Sequence, residues 1–101
     1  MSDPHRPQLY LISYDIADDA RWRKVYRAMR GQGDHIQYSV FRCVLTERRL
    51  AELVQKLGAV ICPSEDQVLI VPLGSAESER SWKMETIGLP LKLPERVVKV
   101  F

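Results

Sequence analysis

The order in which strand-forming and helix-forming segments follow one another constrains the fold of this chain more than any single residue does. Residues 9–16, LYLISYDI, are rich in the β-branched and aromatic residues that favour strands. Residues 35–46, HIQYSVFRCVLT, predict either one bent strand or two short strands joined at Ser39. Residues 66–73, DQVLIVPL, predict a further strand. Two amphipathic segments separate these strands.

The first amphipathic segment is capped by Asp18 or Asp19 and stopped by Gly31 and Gly33. The second segment begins after Thr46 and ends at Gly58. Each carries an apolar stripe with helical spacing: Trp22, Val25, Tyr26 and Met29 in the first, Leu50, Leu53, Val54 and Leu57 in the second. The order β-α-β-β-α-β predicts an α+β, ferredoxin-like sandwich in a single domain over residues 1–101, with residues 1–8 as a flexible lead-in.

The predicted strands are apolar on both faces, so the face without helices needs a second layer. Residues 74–101 follow the core as a C-terminal extension. Within it, WKMETIGL favours a short strand, and RVVKVF is a strand former with no obvious partner in a four-stranded sheet. These features predict a homodimer in which the extra C-terminal strand reaches the partner subunit.

The composition of the chain argues against a membrane protein and against a zinc site. The chain of 101 residues has a net charge of only +2 and lacks an apolar run of the length that a membrane span needs. Its N-terminus is polar, so we expect a cytoplasmic protein with no membrane partner. Cys43 and Cys62 form no CxxC motif and lie at no ligand spacing from His5 and His35, so they are interpreted as small buried thiols and not as zinc ligands.

Asp15 ends the first predicted strand. An aspartate there usually helps to cap the next helix, but three aspartates in positions 15–19 exceed what one cap needs. Magnesium is commonly held by one or two carboxylates together with phosphate oxygens. In a two-fold dimer, Asp15 of each subunit would face the same ion or the same phosphate.

After its cap, the first helix carries charged residues that are all basic: Arg21, Arg23, Lys24, Arg27 and Arg30. A solvated helix face normally mixes charges, so this pattern favours an anionic partner such as a phosphate backbone. In the segment QYSVF and beside it, Ser39, His35 and Arg42 could hydrogen-bond phosphates, whereas sheet packing is favoured for at least one of Tyr38 and Phe41. No phosphate-binding glycine loop or Ser-His-Asp set is present.

The segment YLISYDIADD, a glycine-ended helix, IQYSVFRC and a threonine-capped helix together resemble the small CRISPR-associated (Cas) endoribonuclease family, the second core protein of CRISPR adaptation, Cas-two. The resemblance implies a homodimer with facing sheets and a divalent ion, Mg²⁺ or Mn²⁺, held by Asp15 of both subunits. It implies catalytic roles for Asp15, Tyr14 and Phe41. Trp22 and His35 stand where relatives often have basic residues, which leaves phosphate binding near the metal to Arg21, Lys24 and Arg42.

The resemblance implies the first two of three candidate functions, and the fold allows the third. The first is a metal-dependent endonuclease of spacer acquisition and antiviral defence that cleaves single-stranded RNA, duplex DNA or both. The second is a non-catalytic DNA-binding scaffold that docks the CRISPR integrase. The third is a small ligand-binding regulatory dimer, which the basic helix disfavours. Toxin-like endoribonucleases of the same fold also remain open.

Overall fold

The computed structural model describes residues 5–76, 84–89 and 98–100, and it forms a four-stranded antiparallel sheet with two helices. In chain order the elements are β1 (Gln8–Asp15), α1 (Asp19–Arg30), β2 (Gly33–Gln37), β3 (Val40–Leu45), α2 (Glu47–Gly58), β4 (Gln67–Ser75), β5 (Met84–Thr86) and β6 (Val98–Val100). The predicted α+β class is therefore confirmed. The predicted homodimer is not addressed by a single chain and stays a prediction.

The strand order in the sheet is β2-β3-β1-β4. Helix α1 therefore joins β1 to β2 across β3, and α2 joins β3 to β4 across β1, which is the split β-α-β connectivity. Residues 35–46 form two strands and not one bent strand, because the chain turns at Tyr38 and Ser39. Since β1 and β4 run antiparallel with Asp15 opposite Gln67, the end of β1 lies beside the start of β4.

Both helices begin at the predicted caps. The Asp18 side chain accepts a hydrogen bond from the backbone N–H of Arg21 at 2.9 Å, and the Thr46 hydroxyl accepts one from Arg49 at 3.2 Å. Gly31 caps the end of α1. Gly33, predicted to stop this helix, instead begins β2, where an added Cβ would lie 2.7 Å from the Cys43 sulfur. Glycine is needed there because β3 approaches closely.

The core lies between the sheet and the helices. Its buried members come from β1, α1, β3 and α2: Tyr10, Ile12, Tyr14, Val25, Ala28, Met29, Phe41, Cys43, Leu45, Leu53 and Leu57. Burial raises the pKa of the Cys43 thiol to about 11. Cys62 lies partly exposed in the loop after α2, so its predicted burial is wrong. Trp22 and Val54 are the most exposed members of the two predicted apolar stripes.

Among the described residues, no helix packs on the opposite face of the sheet. Ser13 lies opposite Leu69, and Leu11 lies opposite both Val71 and Arg42, so these residues share that face. Leu69 is 54% exposed and Val71 38% exposed. Leu69, Val71 and Val44 thus form an apolar part of this face that is open to solvent, whereas Leu9 and Arg42 on the same face are buried.

Strand β6 pairs in parallel with β5, so the C-terminal strand does have a partner within its own chain. The short strand predicted within WKMETIGL is present as β5, but the sequence analysis did not pair it with the C-terminal strand. The expectation that the extension reaches a partner subunit stays a prediction, and most of it lies outside the described residues, as does the start of the lead-in. Among the helices described, none is long and apolar enough to cross a membrane.

Candidate active site

Asp15 is the last residue of β1, and its side chain is exposed. Its carboxylate forms no hydrogen bond or ion pair within residues 5–76, 84–89 and 98–100. The nearby Asp18 and Asp66 are instead occupied, the first by the cap of α1 and the second by Arg21. Because the described part of the chain makes no use of the Asp15 carboxylate, that group is available there to an external ligand.

Strand alternation determines the face to which Asp15 belongs. Successive side chains of a strand point to opposite faces. Asp15 therefore shares the helix-free face with Leu11 and Ser13, whereas Tyr14 belongs to the face that the helices cover and is only 4% exposed. The candidate metal ligand thus lies at one end of the exposed apolar face.

Tyr14 and Phe41, the other predicted catalytic residues, lie in an aromatic cluster under β1. The cluster consists of Tyr14, Trp22, Tyr26, His35 and Phe41. The ring centroids of Phe41 and Tyr14 are 6.2 Å apart, and those of Phe41 and His35 are 4.8 Å apart. Burial raises the pKa of the Tyr14 phenol to about 12, so it stays protonated at neutral pH. In this position the two rings pack beneath the end of β1, next to Asp15. Their catalytic role stays a prediction.

The turn between β2 and β3 lies at the same end of the sheet as Asp15. The backbone N–H of Tyr14 donates to the carbonyl oxygen of Ser39 at 3.1 Å, and the His35 imidazole hydrogen-bonds the carbonyl oxygen of Tyr38. His35 also stacks on Phe41. Ser39 therefore lies beside Tyr14, next to Asp15, whereas His35 pairs with Phe41 opposite Ile12 and belongs to the helix-covered face. The role of both residues in nucleic-acid binding stays a prediction.

The buried carboxylate of Asp66 connects the segments that surround Asp15. It accepts hydrogen bonds from the backbone N–H groups of Ala17 and Cys62 at 2.9 and 2.7 Å. The Arg21 guanidinium adds two more, at 2.8 and 3.3 Å. The Arg21 hydrogen bond, followed by the one from Cys62, lowers the pKa of Asp66 to about 2. Asp66 thereby holds the loop that follows Asp15, a role that the sequence analysis missed.

Two of the predicted phosphate ligands are engaged inside the fold. Arg21 bonds Asp66 and also lies 3.7 Å from Glu65. Arg42 is 4% exposed, and its guanidinium lies 2.6 Å from the Asp34 carboxylate, its cross-strand neighbour. Arg42 is opposite Leu11, four residues before Asp15, which is about 13 Å along the strand. Neither guanidinium is presented to a phosphate at Asp15 in this arrangement.

The remaining basic residues of α1, namely Arg23, Lys24, Arg27 and Arg30, are exposed. They form no ion pair with a carboxylate in the part of the chain that the structure describes. These four residues are called the α1 basic face. Since α1 covers the other side of the sheet, this face and Asp15 lie on opposite sides and approach one another only at the sheet end. Of these four residues, the resemblance implied only Lys24 as a phosphate ligand near the metal, and that role stays a prediction.

A metal site within one chain would need more ligands than Asp15 supplies. No group of three or more His, Cys, Asp or Glu side chains suited to a metal ion occurs among the described residues. A single free carboxylate still fits magnesium, because that ion retains waters and takes one or two carboxylates plus phosphate oxygens. The geometry is therefore compatible with an ion shared between two chains and a nucleic-acid phosphate.

Removal of the Asp66 charge tests its role in holding the site. We expect Asp66→Asn to lower the melting temperature by about 10 °C or more, because Arg21 and two backbone N–H groups lose their ionised acceptor. The matched control is Glu52→Gln, which removes a carboxylate from the exposed pair with Arg48 and should have little effect. Equal melting temperatures for the two variants would contradict the assignment.

The depressed pKa of Asp66 also predicts how stability depends on pH. The contribution of this carboxylate is fully present above its unfolded pKa of 3.8 and is lost as the pH falls through the folded value of about 2. Between these values the parent should therefore lose stability more steeply than Asp66→Asn. Urea unfolding of both proteins at several pH values in this window measures the difference.

Comparison with known proteins identifies similar chains. A family model described as CRISPR associated protein Cas2 matches residues 8–81. A protein from Thermodesulfovibrio yellowstonii named CRISPR-associated endoribonuclease Cas2 2 is 48% identical over 64 residues, covering 63% of this chain and 70% of that protein. The Cas2 endoribonuclease of Geobacter sulfurreducens is 39% identical over 80 residues, covering 79% and 83%.

Solved structures show the same architecture. The chain superposes on a hypothetical protein from Thermus thermophilus with a TM-score of 0.72 and 31% identity, covering 87% of this chain and 98% of that one. It superposes on Streptococcus pyogenes Cas2 with a TM-score of 0.67 and 26% identity, covering 79% and 99%. The similarity in both sequence and structure therefore extends over most of each chain.

Proposed function

The chain belongs to the family of CRISPR-associated Cas2 proteins, and from this premise we propose that it is a metal-dependent endoribonuclease that acts as a homodimer in spacer acquisition and antiviral defence. Family membership supports the nuclease class, since the relatives carry the name endoribonuclease. The observation that carries the proposal for this chain is the Asp15 carboxylate at the end of β1, which is exposed and has no partner among the described residues.

The dimer is proposed to form through the helix-free face. Leu69, Val71 and Val44 are each more than one third exposed there, and their burial against a second copy would remove apolar surface from water. A two-fold axis through this face would place Asp15 of one subunit near Asp15 of the other, because both lie at the end of the same face. The dimer would then supply the second carboxylate that a single chain lacks.

The chemistry follows from this placement. A divalent ion bound between the two carboxylates would stabilise charge on the scissile phosphate and lower the pKa of a nearby water. The two Asp15 carboxylates would hold and orient this ion. Asp66 keeps the adjoining loop fixed through Ala17 and Arg21, and the aromatic cluster supports β1 from the other side. Tyr14 contributes no general base, since its phenol stays protonated.

The α1 basic face is proposed to bind the nucleic-acid backbone away from the reacting phosphate. Its four exposed cations lack a described acidic partner, so phosphates would neutralise their mutual repulsion. Nucleic acid held on α1 reaches Asp15 only around the sheet end. Single-stranded RNA bends sharply enough for that path, and RNA is therefore the favoured substrate over duplex DNA.

One observation favours the alternative function. The described part of one chain holds no cluster of metal-ligating side chains, while the α1 basic face is intact. A non-catalytic dimer that holds duplex DNA and docks the CRISPR integrase would need only the second feature. In that case Asp15 would not be required for function.

Dependence on a divalent ion tests the proposed function directly. We expect purified protein to cleave labelled single-stranded RNA with Mg²⁺ or Mn²⁺, and we expect EDTA to abolish the cleavage, since one carboxylate per chain has no other catalytic partner. Restoring the ion in excess should restore the rate. Absence of cleavage across a series of metals and pH values would contradict the nuclease assignment and leave the scaffold. Cleavage that persists in EDTA would contradict the role of the metal.

A further inference from the structure

Tyr38 is a residue that the fold alone does not explain. It is the first residue of the turn between β2 and β3, its backbone has a positive φ of 43°, and its side chain is 84% exposed. A bulky residue at positive φ is strained, and turns of this kind normally use glycine or asparagine. The Tyr38 ring also belongs to none of the ring contacts among the described residues.

The turn that carries Tyr38 is held firmly on both sides. His35 hydrogen-bonds the Tyr38 carbonyl oxygen, and Tyr14 donates its backbone N–H to Ser39. His35 is itself stacked on Phe41. The exposed ring therefore extends from a turn whose backbone is held in place, so little conformational freedom of the backbone is lost when a ligand binds the ring.

Tyr38 is also close to the candidate metal ligand along the fold. The hydrogen bond between Tyr14 and Ser39 joins the residue before Asp15 to the residue after Tyr38. Hydrogen-bonded strands lie about 5 Å apart. The phenol ring thus projects from the same end of the sheet as the Asp15 carboxylate, within the reach of a nucleotide whose phosphate lies at Asp15.

We propose that Tyr38 is a stacking platform for an unpaired base next to the phosphate held at Asp15, and that it makes the protein select single-stranded RNA. This inference rests on the proposed function and specifies the substrate of the same site. An aromatic ring stacks on the face of a splayed base, whichever base it is, but a base inside a duplex is already stacked on its neighbours. The strain at Tyr38 is then the cost of presenting an aromatic ring where glycine would suit the backbone.

Two substitutions separate stacking from folding. Tyr38→Gly removes the ring and also relieves the positive φ, so it should melt at or above the temperature of the parent. Tyr38→Phe keeps the ring and the strain. By fluorescence anisotropy with Mg²⁺, read before measurable cleavage, we expect Tyr38→Gly to bind a labelled single-stranded RNA about tenfold more weakly than the parent does, and Tyr38→Phe to bind it within about twofold. Duplex DNA should bind all three proteins equally.

Abasic substitution locates the stacked base. With the base removed at one position at a time, the parent should show one position at which affinity falls about tenfold, and Tyr38→Gly should show none. Unchanged RNA affinity in Tyr38→Gly, or an equal loss for RNA and duplex DNA, would overturn the proposal. These binding results are independent of catalysis. A parent that binds RNA through Tyr38 but never cleaves it would refute the nuclease assignment while the platform stands.

Discussion

Asp15→Asn is expected to lower the rate of metal-dependent RNA cleavage by at least about 100-fold, because loss of even an indirect partner of a metal ligand typically costs 10- to 100-fold. Asparagine keeps the shape of the side chain and removes the charge that would hold the ion. The carboxylate has no partner in the described structure, so the fold should be unaffected. Single-turnover cleavage of labelled RNA at saturating protein measures the chemical step without the binding step.

Asp19→Asn is the matched control. Asp19 is also exposed, it lies four residues further along, and its carboxylate likewise forms no hydrogen bond or ion pair among the residues that the structure describes. Its removal changes the net charge identically, so a general electrostatic effect on RNA binding would appear in both variants. Equal rates for Asp15→Asn and the parent would show that this carboxylate is not part of the active site. Equal losses in the two variants would show an effect of charge alone.

Replacement of Arg23, Lys24 and Arg27 together by glutamine is expected to weaken nucleic-acid binding strongly. If each contacts one phosphate, the plot of log affinity against log salt should flatten by about two units for single-stranded RNA and about three for duplex DNA. All three side chains are exposed and without a described acidic partner, so the helix should keep its packing. Binding titrations at four or more salt concentrations give the slope.

The second helix offers a control with the same change in charge. Arg48, Arg49 and Lys56 are exposed on α2, and replacing them by glutamine removes three positive charges from a different surface. We expect a smaller change in both affinity and slope, because only the α1 basic face lacks neighbouring acidic residues on its own helix beyond the first turn. Identical slopes for the two triple variants would mean that the protein responds to net charge and not to a surface on α1.

The architecture could be predicted from sequence because it depends on local patterns. The helical stripes, the caps at Asp18 and Thr46 and the β-rich segments each act within a few residues, so their order indicated the four-stranded sheet with two helices. The site depended on pairings between distant segments. Arg21 and Asp66 are 45 residues apart, and nothing local marks them as partners. Antiparallel pairing of β1 with β4 places Asp66 beside the loop after Asp15.

The same limitation explains the arginine on β3. The basic character of Arg42 suggested a phosphate ligand, but its burial follows from the register that sets it opposite Asp34. The face occupied by Asp15 was, in contrast, implicit in the alternation of β1, where it follows Leu11 and Ser13. Charge type alone therefore identified candidates, while strand register decided which of them are exposed at the site.

The placement of Asp15 and the α1 basic face on opposite sides of one sheet has a consequence for how such a protein evolves. Side chains that share no contact and no partner contribute nearly additively, so a change in one group leaves the effect of the other almost unaltered. Selection can then act on cleavage and on nucleic-acid binding as separate traits. A lineage that no longer needs to cut RNA can lose the carboxylate by drift and keep every cation of the helix, without passing through a poorly folded intermediate.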